Sequence, residues 1–129
     1  MTASDKLKQR ILYDATGVRH EGPEAVQAAW DDRDEYDDAV NDATNELRSG
    51  EEETGLPCDW SRHYESKSVA AQMLDGSWVG WTYWYGGGKH GEAYSIPWVE
   101  DAYDLEMVEV QKVVREFRVA GGHRSEATP

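Results

Sequence analysis

Two runs with a period of two, Tyr64 to Leu74 and Ser77 to Tyr85, flank the dipeptide Asp75-Gly76. Period two sends alternate side chains to opposite faces of a strand, and Asp-Gly favours a tight type I′ turn whose twist suits antiparallel neighbours. The segment therefore predicts a β-hairpin, and a two-residue turn fixes its register. On one face Met73 would stand opposite Trp78, Ala71 opposite Gly80, Val69 opposite Thr82 and Lys67 opposite Trp84. On the other, Gln72 would face Val79, Ala70 face Trp81, Ser68 face Tyr83 and Ser66 face Tyr85. Small residues would then lie across from large rings, leaving room for the rings to cover the neighbouring strand. Six Trp and seven Tyr against one Phe make this bias a property of the whole chain. Both residue types join an apolar body to a polar tip, which suits half-buried faces and interfaces.

The hairpin needs helices to cover one face, and the preceding sequence supplies them. Ser4 to about Ala15 reads as a short amphipathic helix, capped by Ser4, with Leu7, Ile11 and Leu12 on one side and Gly17 ending it. A longer helix is expected between Gly22-Pro23 and Ser49-Gly50. Its apolar stripe runs through Val26, Ala29, Trp30, Tyr36, Val40, Ala43 and Leu47 and is interrupted by Arg33. Glu51 to Asp59 reads as a loop, Pro97 to Leu105 as a short helix, and Val108 to Val119 as a last strand whose alternation slips near Lys112. The expected fold is α+β: two N-terminal helices packed on a three-stranded antiparallel sheet, with a short helix before the last strand. One domain is expected over residues 1–120, with 121–129 as a disordered tail.

Charge narrows the function. The chain carries 26 acidic and 13 basic residues, a formal charge of −13. Glu21 to Glu53 holds thirteen acidic residues against Arg33 and Arg48, a net of −11. Such a surface repels nucleic acid and anionic membranes and steers towards basic partners, so neither direct nucleic-acid binding nor membrane binding is expected. Cys58 is the single cysteine, which excludes an intramolecular disulfide and fits a reducing compartment. Met1 to Arg10 has no apolar core of a secretory signal, and no apolar run approaches the roughly 20 residues of a membrane span. The expected location is cytoplasmic.

Three groups of residues are candidates for a site. Asp31, Glu35, Asp38 and Asp42 are three or four apart and would stack on one face of the long helix, with Asp34 beside them. Trp84 and Tyr85 close the aromatic strand and offer anchors for a partner. Gly86, Gly87, Gly88, Lys89 and His90 form a glycine loop that could present backbone N–H groups to a ligand or anion. The loop is not a Walker motif, because Tyr83 stands where its first Gly belongs and His90 where Ser or Thr belongs. Asp31 to Glu35 lacks the glycine of a calcium loop, and the histidines lack metal-ligand spacing. Cys58 with His63, and His90 with Glu92, are pairs without an orienting third group, so no catalytic residue, cofactor or metal is expected.

The run Trp78-Val79-Gly80-Trp81-Thr82-Tyr83-Trp84-Tyr85-Gly86-Gly87-Gly88-Lys89-His90-Gly91-Glu92 resembles a segment of small uncharacterised proteins carried by bacteriophages and prophages of proteobacteria. The likeness spans the hairpin, the glycine loop and the expected helix after it, about half of the chain, and leaves out the acidic helix. That group has no established activity, so no site residue carries over. The resemblance implies a mobile-element accessory protein acting inside the host cell, a setting in which small acidic proteins bind and disable nucleic-acid-handling machinery. The leading expectation is therefore a non-enzymatic inhibitor of a basic host protein or complex, with DNA mimicry as its device. A nucleotide or other small-molecule binder using the glycine loop, and a structural homodimer, are the alternatives.

Overall fold

The computed structural model of the chain describes residues 1–34 and 37–121. It is α+β, with three helices and a four-stranded antiparallel sheet. Helix α1 spans Ala3–Thr16, α2 Pro23–Asp31 and α3 Asp38–Arg48. Strands β1 (Glu52–Glu53), β2 (Glu65–Gln72), β3 (Trp78–Tyr85) and β4 (Tyr103–Leu105) lie in chain order across the sheet.

The first helix starts earlier than expected. Thr2, not Ser4, is its cap: Thr2 Oγ1 accepts from the Asp5 N–H at 3.1 Å, and the Asp5 carboxylate accepts from the Thr2 N–H at 3.0 Å. That reciprocal pair satisfies two backbone donors that a helix start leaves open.

The long acidic helix is two helices. α2 stops at Asp31, and α3 opens at Asp38 with Asp37 as its cap, the Asp37 carboxylate accepting from the Ala39 and Val40 N–H groups at 3.0 and 3.3 Å. An unbroken helix would have placed Asp31 and Asp32 in mid-helix and stacked like charges one turn apart. The break instead sets Asp37 and Asp38 at a helix N-terminus, where the macrodipole favours negative charge. It also lets both short apolar stripes, Val26 and Trp30 on α2 and Val40, Ala43 and Leu47 on α3, bury while both helices pack against α1. Arg33, which interrupts the stripe in sequence, sits in the break with its guanidinium 3.8 Å from the centre of the Trp30 ring.

The hairpin forms, with its register displaced by one residue. Trp78 pairs with Gln72, Val79 with Ala71, Gly80 with Ala70, and Trp81 with Val69. The cause is the turn. The Met73 N–H donates to the Ser77 carbonyl at 2.7 Å, so the loop is the three residues Leu74, Asp75 and Gly76, not two. Asp75 Oδ1 accepts from both the N–H and the hydroxyl of Ser77, at 2.9 and 2.6 Å, and Gly76 adopts φ 88°, a left-handed conformation open to glycine. The displaced register assembles the helix-facing side from Val69, Ala71, Val79 and Trp81, all fully buried. They join Leu7, Ile11 and Leu12 of α1 and Val40, Ala43 and Leu47 of α3 in the core.

Three further expectations fail. Glu52–Glu53 lies in the expected loop but pairs with Ala70 and Val69 as a fourth strand. The region 97–105 holds no α-helix; short 3-10 turns at Gly88–His90, Ala93–Ser95 and Val99–Asp101 lead into β4, which pairs Tyr103 to Leu105 with Gly80 to Trp78. The residues from Val108 to Val119, expected as the last strand, carry no regular structure. Of the expected tail, 122–129 lies outside the described residues.

Candidate functional site

Asp38, Asp42 and Glu46 are exposed on α3 at successive one-turn spacings, about 6 Å apart along the axis, opposite the buried Val40, Ala43 and Leu47. The other members of the predicted acidic row are elsewhere. Asp31 ends α2 and accepts from the Gln27 side-chain amide at 2.8 Å. Asp34 belongs to the link, where its carbonyl accepts from the Asp37 N–H at 2.8 Å. Glu35 lies outside the described residues. The single carboxylate face through Asp31, Glu35, Asp38 and Asp42 is therefore replaced by a shorter stripe on α3.

The aromatic strand divides its rings between the two faces of the sheet. Trp81 belongs to the core: its ring centre is 5.0 Å from that of Trp98, and its Nε1 donates to the Arg48 carbonyl at 2.8 Å. Tyr83 and Tyr85 stack at 5.2 Å on the same face. That pair already has its cations, with the Arg48 guanidinium 5.0 Å from the Tyr83 ring and Lys67 Nζ 5.8 and 5.6 Å from the two rings. Arg48 also donates from Nη1 to the Trp84 carbonyl at 2.7 Å, tying the end of α3 to β3.

Trp84 points to the other face, so the two predicted aromatic anchors, Trp84 and Tyr85, do not form one platform. On that face Trp84 and Thr82 lie between two chain segments in a cleft of about 260 Å³. Pro57, Cys58 and Asp59 border one side, and Pro97, Trp98, Asp101 and Tyr103 the other. Two serines of β2 build the first wall, the Ser68 hydroxyl donating to the Pro57 carbonyl at 3.1 Å and the Ser66 hydroxyl to the Asp59 carbonyl at 2.6 Å. The cleft thus combines an indole, a phenol and the exposed carboxylates of Asp59 and Asp101, a lining suited to a cationic side chain. Asp59, Asp101 and Tyr103 were not visible as site residues in the sequence, because their convergence depends on the serine tethers and on β4.

Within the glycine loop, packing demands glycine at Gly87. A Cβ at Gly87, which has φ 93°, would overlap the Tyr64 ring, so the loop backbone rests on that ring. The turn Gly88–His90 is a single 3-10 turn followed by Gly91, and Lys89 is exposed. The Cys58 thiol makes its contact with Ser66 Oγ, at 3.6 Å. Among the described residues no group of three or more His, Cys, Asp and Glu side chains is placed to hold a metal ion. Among the same residues no helix is long and apolar enough to cross a membrane.

Two carboxyls whose pKa is displaced lie away from the cleft. Burial alone would raise the Glu51 carboxyl, but hydrogen bonds from Arg10 and from the Gln72 N–H outweigh it and hold its pKa below the ordinary glutamate value. The Asp75 carboxyl is likewise held low by the Ser77 hydroxyl and N–H.

No protein-family model, curated protein or solved structure matches the chain.

Proposed function

We propose that the chain is a non-enzymatic interaction protein that binds and blocks a basic, nucleic-acid-handling protein of its host, as an accessory protein of a phage or prophage. The observation that carries this reading is the exposed stripe Asp38, Asp42 and Glu46 on a molecule of net charge −13. Like-charged neighbours at this spacing work against the helix that carries them, and a basic surface relieves the repulsion. Mimicry on this reading is one of charge sign and not of phosphate spacing: about 6 Å separates successive carboxylates along the axis, against about 3.4 Å per phosphate along one DNA strand. The cleft at Trp84 adds specificity, since an arginine or lysine of the partner would enter between the Trp84 and Tyr103 rings with Asp59 and Asp101 at hand. Asp31 and Asp34 extend the negative surface towards α2.

The test is a pull-down from nuclease-treated host lysate at about 50 mM and about 500 mM salt, with duplex DNA as a competitor. A basic nucleic-acid-binding protein should be retained at low salt, released at high salt and displaced by the DNA. The triple variant Asp38→Asn, Asp42→Asn, Glu46→Gln should fail to retain it. Retention unchanged by both the triple variant and the DNA would defeat the reading.

A further inference from the structure

Residues 106–121 follow β4 without entering a helix or strand. Val108, Val110, Val113, Val114, Phe117 and Val119 in this arm are all exposed, Val113 and Phe117 almost completely, at 101% and 92%. These are strand-forming residue types, and six large apolar side chains left in water along one short segment point to a contact surface, although charged residues are interleaved among them.

The charges of the arm specify its partner as a second copy of itself. When two copies of one strand pair antiparallel about a twofold axis, some residue must face its own copy, because neighbours alternate between faces. Each register is therefore defined by its central residue. Centring on Lys112 sets Glu106 opposite Arg118 and Glu109 opposite Arg115, and each of these opposite-charge pairs occurs twice. The same register sets Val110 opposite Val114 and Met107 opposite Phe117, again twice each, while Val108 faces Glu116. Lys112 meets its own copy on the axis, where two long side chains can splay apart. Centring one residue earlier places Glu106 against Glu116, and one residue later leaves no charged residue opposite another.

The root of the arm offers an independent reason for the same register. Glu106, Met107 and Val108 border a cavity of about 310 Å³ with Leu56, Ala70 and Trp78, on the sheet face away from the helices. Pairing centred on Lys112 brings Phe117 of the second copy beside Met107, at the edge of that cavity, where Leu56, Ala70 and Trp78 supply apolar surface beside the polar Glu52, Glu53 and Thr54. We propose that the chain forms a twofold dimer by antiparallel pairing of residues 106–118 centred on Lys112, each copy's Phe117 anchoring at the Met107–Trp78 cavity of the other. The slip in alternation near Lys112 then marks the axis.

The experiment uses the full chain. Sedimentation at about 100 μM should show a dimer. In a Cys58→Ser background, Lys112→Cys should form an intermolecular disulfide readily. Gln111→Cys and Val113→Cys should not, since each lies two residues along the strand from its own copy, beyond disulfide reach. Glu109→Arg and Arg115→Glu should each weaken the dimer about tenfold, because two cross-strand attractions become repulsions, and the double variant should restore it. The arm is outside the core, so each variant should keep the wild-type melting temperature when monomeric. A monomer at that concentration, equal cross-linking at all three positions, or a double variant no tighter than the singles would each overturn the proposal.

Discussion

Arg10 shows how single residues tie the layers together. From α1 its guanidinium reaches the Glu51 carboxylate at 3.2 Å, the Gln72 carbonyl at 2.6 Å and Asp14 at 3.0 Å. Glu51 in turn accepts from the Gln72 N–H at 2.9 Å, so one carboxylate joins the entry to β1, the end of β2 and α1. Because the folded pKa of Glu51 is depressed, its contribution to stability is complete above its ordinary value of 4.5 and is lost as pH falls through the folded value. Glu51→Gln should therefore lower the melting temperature at pH 7 by a few degrees, and the gap to wild type should close as pH falls below the ordinary value of 4.5 and through the folded one. The effect stays modest because the Glu51 side chain is 44% exposed and partly screened by solvent. Thermal melts of both proteins across that range check it; a gap that persists undiminished at acid pH would place the effect in packing and not in the ion pair.

At the scale of elements, the break between α2 and α3 depends on Asp37. Removing its two hydrogen bonds to Ala39 and Val40 with Asp37→Ala should cost about 1 kcal/mol. Asp37→Asn keeps an acceptor but loses the charge, so it should retain most of the stability; chemical denaturation of the pair separates the cap from the electrostatics. This break was half legible in the sequence. Arg33 interrupts the apolar stripe, and Asp37 followed by Asp38 is a helix-start signal, but the unbroken 3.6-residue period on either side outweighs both when only spacing is considered. The hairpin shows the same limit. Its two strands follow from alternation and the Asp-Gly turn, whereas the register depends on whether Asp75 captures Ser77, a three-centre contact that dipeptide preference does not encode. Nor could spacing reveal β1, two glutamates without an apolar side chain, held by backbone pairing to Val69 and Ala70. The cleft at Trp84 was legible only in Trp84 itself, since its walls are assembled by Ser66, Ser68 and β4.

For the whole molecule, the surplus of carboxylates sets the response to salt. Ion pairs such as Lys6–Asp104 at 3.1 Å and Lys8–Glu100 at 3.0 Å favour the fold at low ionic strength and weaken as ions are added. Against them stands the repulsion of a net charge of −13, concentrated between Glu21 and Glu53. Repulsion should win, because acidic residues outnumber basic ones two to one, so one-to-one pairing leaves at least half of the carboxylates without a matching basic side chain. Raising sodium chloride from about 20 mM to about 500 mM shortens the screening length from some 20 Å to under 5 Å, below the spacing of the α3 stripe. The melting temperature should rise over that interval and level off once neighbouring carboxylates are screened. Choline chloride should reproduce the rise if screening is the cause, whereas dependence on the identity of the cation would indicate specific ion binding. In the Asp38→Asn, Asp42→Asn, Glu46→Gln variant the rise should be visibly smaller and the low-salt melting temperature higher. A protein that gains stability when its stripe is neutralised, yet loses its partner, would show that the repulsion is maintained for binding and not for folding.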